Sequence, residues 1–277
     1  LFRSKAAVLA AKENCTLPVF VTNVYDESGK MMTGCDPLGM IAMLEGLNAD
    51  AIGLNCGFGP DKMKKTVETL YKYASVPIIV NPNAGLPSVE NGESVFDIAP
   101  DNFAMQMKEI AMLGGRILGG CCGTTPEHIK RAKKAVSELK PLPITEKNYT
   151  VVSSYTHGVI IGDKPILIGE RINPTGKPRF KEALRQNNTD YILNEAVSQQ
   201  EKGVHILDVN VGLPEIDEPA VMESSVKAIQ AVSDLPLQID TSNFEAMERA
   251  MRIYNGKPMV NSVNAKKESM EKIFPLI

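Results

Sequence analysis

Eight short runs of apolar residues, each set between stretches of helical periodicity, restrict this chain to a narrow set of folds. In the first half they are Leu17-Pro18-Val19-Phe20-Val21-Thr22, 50–57, 76–80 and the run ending Ile117-Leu118. In the second they are 166–170, 204–208, 237–240 and 258–261. The runs are mostly continuous, with little alternation of apolar and polar residues. Strands of that kind are covered on both faces, which predicts parallel sheets flanked by helices. Helices are expected at 1–14, 36–47, 60–74, 101–113 and 125–139, then at 189–202, 217–233 and 242–254. In the helix from Pro60, Met63, Val67, Leu70, Tyr71 and Ala74 fall on one face. Pro141-Leu142-Pro143 breaks the rhythm, and Thr150 to Gly162 reads as a short β-hairpin. The expected division is therefore a first α/β segment at 1–140, a linker with hairpin lead-in at 141–164, and a second α/β segment at 165–277. Each holds four of the eight strands that a closed (β/α) barrel of TIM type requires.

Composition excludes more than it selects. A net charge of -3 without a block of one sign favours neither nucleic acid nor a membrane surface as partner. The basic stretch Lys130-Arg131-Ala132-Lys133-Lys134 reads as a solvated helix face. No apolar run reaches the length of a membrane span, and no signal peptide is visible. Five cysteines without a regular framework suit a reducing, cytoplasmic setting, where thiols serve metals or chemistry. The chain opens without methionine and in mid-helix, as expected of a cut edge.

In barrels of this class the chemistry sits where strands end. The run Ile117-Leu118-Gly119-Gly120-Cys121-Cys122-Gly123-Thr124-Thr125-Pro126 ends a strand in a tight turn and opens a helix with proline at its first position. Adjacent thiols do not readily pair with each other. They can converge on one metal ion with a third ligand, and Cys56, at the end of another strand, is the candidate. Three thiolates with an open fourth position suit a catalytic zinc ion; the alternative is three small buried apolar side chains. Asn83, beside Pro82 and Gly85, either points at the same mouth or only forms a turn. Cys15 and Cys35 lack a strand-end context and read as structural. In the second half, strand ends carry carboxylates and amides: Glu170 and Asn173, Asp208 and Asn210, Asp240, and Asn261. A planar heterocycle with an amidine-like edge is gripped well by one buried carboxylate taking two parallel hydrogen bonds, and Asp240 is the candidate. Taken singly, such residues are commonly helix caps or turn formers. His205 reads as a core residue within a strand, His128 as helix surface and His157 as part of the hairpin.

These motifs resemble known families. Gly119-Gly120-Cys121-Cys122-Gly123-Thr124, with Gly53-Leu54-Asn55-Cys56 and Asn81-Pro82-Asn83-Ala84-Gly85, resembles the homocysteine-binding zinc methyltransferases. Gly169-Glu170-Arg171-Ile172-Asn173-Pro174-Thr175-Gly176, with Asp208-Val209-Asn210 and Gln238-Ile239-Asp240, resembles the pterin-binding barrel of methyltetrahydrofolate methyltransferases. The pair in this order is similar to the cobalamin-dependent methionine synthases. The resemblance implies zinc on Cys56, Cys121 and Cys122, with Asn83 approaching the metal when substrate is absent. It implies homocysteine bound as its thiolate, and a methyl group relayed from 5-methyltetrahydrofolate by cobalamin held mainly on another module of the parent protein. It also implies a pterin gripped by Asp240 and Asn261 in a mouth lined by Glu170, Asn173, Asp208 and Asn210. By the same resemblance the chain is the last four strands of one barrel and the first four of the next, a fragment whose own turnover is in question. A non-catalytic zinc- or pterin-binding module, or a pterin enzyme of the dihydropteroate synthase type, are the competing expectations.

Overall fold

A computed structural model of the chain describes residues 2–90, 92–162 and 164–277. Leu1, first in the expected N-terminal helix, and Asp163, inside the expected linker, lie outside the described residues. The chain divides into two compact units near residues 148 and 149.

The first unit runs α1 (Phe2–Asn14), β1 (Phe20–Asn23), α2 (Pro37–Gly46), β2 (Ala51–Asn55), α3 (Pro60–Tyr73), β3 (Ile78–Asn81), β4 (Pro87–Glu90), β5 (Glu93–Phe96), α4 (Pro100–Met112), β6 (Gly115–Leu118) and α5 (Pro126–Val136). Four strands form one parallel sheet in the order β1-β2-β3-β6. Proline at the first turn starts α2, α3, α4 and α5, where its missing N–H costs nothing and its fixed φ suits the helix. Val67 and Leu70 on α3 are fully buried, with Met63 and Thr66 nearly so. Gly53 leaves no room for a side chain against β3, since a Cβ there would stand 1.9 Å from the carbonyl oxygen of Ile79. Asn23 pairs with Leu54, and Asn55 with Asn81, which brings the carboxyl ends of these strands level.

The second unit begins with an antiparallel hairpin, β7 (Thr150–Ser153) and β8 (Gly158–Ile161). It continues with β9 (Ile168–Ile172), α6 (Pro178–Arg185), α7 (Thr189–Glu201), β10 (Ile206–Val209), α8 (Glu218–Val232), β11 (Leu237–Asp240), α9 (Phe244–Ile253), β12 (Met259–Asn261) and α10 (Lys267–Ile273). The second parallel sheet has the order β9-β10-β11-β12. One of its faces builds the core: Leu207, Val209, Leu237 and Ile239 pack with Ala196 of α7, Met222, Val226 and Ile229 of α8, and Ala246 and Ala250 of α9. The hairpin closes the amino-terminal end of this sheet. The buried Tyr254 hydroxyl donates to Ser153 O (2.9 Å) and accepts from Leu237 N–H (3.1 Å), while Ser153 Oγ accepts from Lys257 N–H (3.0 Å).

The expected α/β class, the eight parallel strands and the helices between them are present, in two four-stranded sheets and without a closed barrel among the described residues. Three features lacked a sequence signal. The hairpin β4–β5 is short and largely exposed, so it has no periodic apolar face to announce it. Helices α6 and α10 are about two turns long; α6 is anchored by Phe180, Ala183 and Leu184. Among the described residues no helix is long and apolar enough to cross a membrane.

Candidate functional site

Three loops at the carboxyl ends of β2, β3 and β6 build a sulfur cluster. Cys56 follows β2 in the left-handed region (φ 57°), with Gly57 beside it at φ 79°. That turn reverses the chain directly after the strand and leaves Cys56 N–H bonded to Asn81 O (3.0 Å). After β3, Pro82 O accepts from Cys121 N–H (2.8 Å), and Ala84 N–H donates to Cys122 O (2.8 Å). The loop of β6 is thus stitched to the loop of β3 by main-chain bonds. Asn83, 5% exposed, adds a side-chain bond: its Oδ1 accepts from Cys122 N–H at 3.1 Å. Thr124 Oγ1 closes the turn by donating to Cys121 O (2.7 Å).

The sulfurs of Cys56 and Cys121 lie 2.8 Å apart, those of Cys56 and Cys122 3.6 Å, and those of Cys121 and Cys122 3.9 Å. Zinc–sulfur bonds of about 2.3 Å place tetrahedral thiolates about 3.8 Å apart. The two longer separations match that edge, and the shortest exceeds the roughly 2.05 Å of a disulfide. All five cysteines are free thiols. A hydrogen bond from Cys121 holds the Cys56 thiol below its ordinary pKa. The same bond is the main cause that pushes Cys121 up to about 11. Within this pair the negative charge is favoured on Cys56 and the proton on Cys121. Three soft donors, partly open to solvent, fit a zinc ion with one position left for a ligand. Cys15 is exposed and Cys35 buried, both outside the cluster; burial pushes Cys35 up to about 12.

In the second unit the polar residues arise from strand alternation. With Leu207, Val209, Leu237 and Ile239 committed to the helices, Asp208, Gln238 and Asp240 face the other side of the sheet. Asp208 stands level with Gln238, and Asp240 with Asn261. Asp208 is 2% exposed; its Oδ1 accepts from Gln238 Nε2, and its Oδ2 has no hydrogen-bond partner among the described residues. Burial pushes its pKa up to about 6, with the Asp240 and Glu170 carboxylates acting in the same direction. Asp240 is half-buried, and its Oδ2 accepts from Asn210 Nδ2 at 3.0 Å. Asn210 Oδ1 in turn accepts from Gly212 N–H (2.9 Å). Glu170 is exposed and accepts from Asn173 Nδ2 (3.1 Å), while Asn173 Oδ1 accepts from Thr175 N–H (2.9 Å). The main chain of Asn261 accepts from Thr241 N–H (2.8 Å).

Several residues at this mouth had no sequence signal of their own. Lys177 Nζ caps the carbonyls of Glu170 and Arg171 at 3.1 and 3.0 Å, bringing a cation beside the carboxylates. Thr241 donates to Glu218 at the start of α8. Two histidine expectations are corrected. His205 precedes β10 and is exposed, its Nδ1 accepting from Leu167 N–H (3.0 Å). His128 is buried, not on the helix surface: Nδ1 accepts from Thr125 N–H in a capping box, and Nε2 meets Ile98 O at 2.9 Å. His157 sits in the hairpin as expected.

Comparison with known proteins agrees with both halves of this description. Residues 3–136 match the family described as homocysteine S-methyltransferase, and residues 169–277 match the family described as pterin binding enzyme. The chain is 33% identical to the methionine synthase of Mycobacterium leprae over 277 residues, covering 95% of the chain and 23% of that protein. Against the methionine synthase of Mycobacterium tuberculosis it is 33% identical over 273 residues, again 95% of the chain and 23% of the relative. It thus spans about a quarter of the length of these curated relatives. A solved structure, the apo form of the homocysteine methyltransferase MmuM from Escherichia coli, aligns with 49% of the chain and 46% of its own at 21% identity and a TM-score of 0.39. The two matches follow one another along the chain, the homocysteine S-methyltransferase match first and the pterin binding enzyme match second.

Proposed function

We propose that this chain is the part of a methionine synthase that holds the zinc ligands for homocysteine and half of the mouth for 5-methyltetrahydrofolate. The observation that carries this reading is the convergence of Cys56, Cys121 and Cys122 within 4.8 Å of one another at the ends of neighbouring parallel strands. Those three residues would hold the metal, and Asn83 would keep the Cys122 main chain in place beneath it. Bound there, zinc would supply Lewis acidity that lets an incoming thiol lie as the thiolate at neutral pH, where a free thiol is mostly protonated.

The second unit would bind the methyl donor. Asp240 offers a half-buried carboxylate already oriented by Asn210, and its free lone pairs suit paired N–H donors of a pterin edge. Asn261 lies level with it on the next strand. Glu170, Asn173 and Asn210 would complete the near wall of the mouth, with Asp208 enclosed behind it. The methyl group would pass by way of cobalamin held on a module outside this chain, and the products would be methionine and tetrahydrofolate. A cytoplasmic setting accords with the five free thiols.

Metal analysis of the purified chain tests the first half of the proposal: about one zinc per chain is expected, and its loss in Cys121→Ser. Transfer of labelled methyl from methylcobalamin to homocysteine, assayed with the chain and with a full-length parent, tests the second. Zinc binding with an inert parent would leave a non-catalytic binding module and defeat the methyltransferase reading. A zinc-free chain that binds pterins would favour an enzyme of the dihydropteroate synthase type.

A further inference from the structure

The least explained group in the second unit is the Asp208–Gln238 pair. Asp208 is buried on the face of the sheet turned away from the helices, with one carboxyl oxygen lacking a partner among the described residues. Such an arrangement costs stability, because a buried acceptor without a donor loses its hydration. Its other oxygen is bound by the side-chain amide of Gln238. An ionised carboxylate only accepts hydrogen bonds, so it must meet the NH2 end of that amide. Gln238 Oε1 is thereby turned away from Asp208. Gln238 is half-buried, and among the described residues its Oε1 neither bonds to protein nor is sealed from solvent. It lies two positions before Asp240, on the same face of β11 and level with Asp208.

We propose that Gln238 contacts the pterin, presenting Oε1 as a fixed acceptor for one of its N–H groups, and that Asp208 is the positioning residue that holds the amide in that orientation. This rests on the reading of the second unit as a methyltetrahydrofolate site and adds a recognition element to it. Asp240 and Gln238 then form a two-step ladder of acceptors up one strand. A ligand with donors on one edge fits the ladder, and one with acceptors there meets repulsion. Asp208 itself does not touch the ligand, because its carboxyl group is enclosed. Its cost is borne so that a flexible amide arrives with its orientation already set.

The test is a double-mutant cycle on the full 277-residue chain, with 5-methyltetrahydrofolate as titrant and calorimetry as readout. Gln238→Met keeps the volume and removes the acceptor; affinity should fall about tenfold. Asp208→Leu removes the orienting partner and should also cost about tenfold when Gln238 is present. In the Gln238→Met background, Asp208→Leu should cost nothing further, an outcome a purely structural role would not produce. Thermal melts accompany each variant, and if Asp208→Leu does not fold, Gln238→Met alone decides the contact. Unchanged affinity in Gln238→Met, or an equal loss from Asp208→Leu in both backgrounds, overturns the inference. An unaltered chain that binds no methyltetrahydrofolate overturns the folate reading itself, and this inference with it.

Discussion

The two mouths are built by different means. In the first unit the functional atoms are brought together by main chain: a left-handed Cys56, and loops bonded through Pro82 O, Cys122 O and Asn81 O. Side chains contribute little beyond the sulfurs and the ties from Asn83 and Thr124. In the second unit the backbone is regular, and the site is a set of side chains that strand alternation turns to one face, then orients through pairs such as Asn210–Asp240 and Gln238–Asp208. A soft metal needs only three donors at fixed separations, which rigid loops provide. A planar heterocycle needs donors and acceptors of defined direction, which amide and carboxylate pairs provide.

The sharpest way to break this contrast is to remove a sulfur. Cys56→Ser or Cys121→Ser should lower zinc affinity by more than about 100-fold, since even outer-sphere partners contribute 10- to 100-fold; competition with a chromophoric chelator measures it. The counterpart in the second unit is Asp240→Asn, expected to weaken methyltetrahydrofolate binding about 30-fold, near the 2 kcal/mol of a hydrogen bond to a charged group. Zinc content should not change. Tyr254→Phe removes a buried hydroxyl that links the hairpin to the sheet, leaving Leu237 N–H and Ser153 O unpaired. It should cost about 2 kcal/mol in urea unfolding of the second unit while leaving the zinc stoichiometry intact.

The smallest expected effect concerns pH. Asp208 holds its proton to about pH 6 in the folded chain, whereas an unfolded aspartate releases it near 3.9. Between those values the native state binds more protons than the unfolded one, so the contribution of Asp208 to stability falls as pH rises through that window. Asp208→Asn should therefore be more stable than the parent at pH 8, on the order of 1 kcal/mol. The advantage should vanish below about pH 4. Urea melts at the two extremes check it, and an unchanged difference would mean that burial does not penalise this carboxylate.

Much of this was legible beforehand because it is local. Continuous apolar runs such as Ala51-Ile52-Gly53-Leu54 marked buried parallel strands. Prolines at 37, 60, 100 and 126 stand at the helix starts. Cysteines one to four residues past strand ends marked the first mouth, because in a parallel sheet all such positions share one end. Other features depended on partners distant in the chain. His128 carries helix-surface periodicity yet is buried, because Ile98 O and Phe103 lie across from it. Gln238 stands in the Gln238-Ile239-Asp240 motif without a role of its own there; only its level pairing with Asp208, 30 residues earlier, gives its amide a direction.

The eight parallel strands, the longer helices, their order and the residue types at each mouth followed from periodicity and turn chemistry, which act over a few residues. Separations among the three sulfurs, the unpartnered oxygen of Asp208 and the orientation of the amide beside it were decided by packing. Those depend on how the ends of different strands are set against one another, a relation set by sheet register and enclosure and not written in any one stretch of the chain.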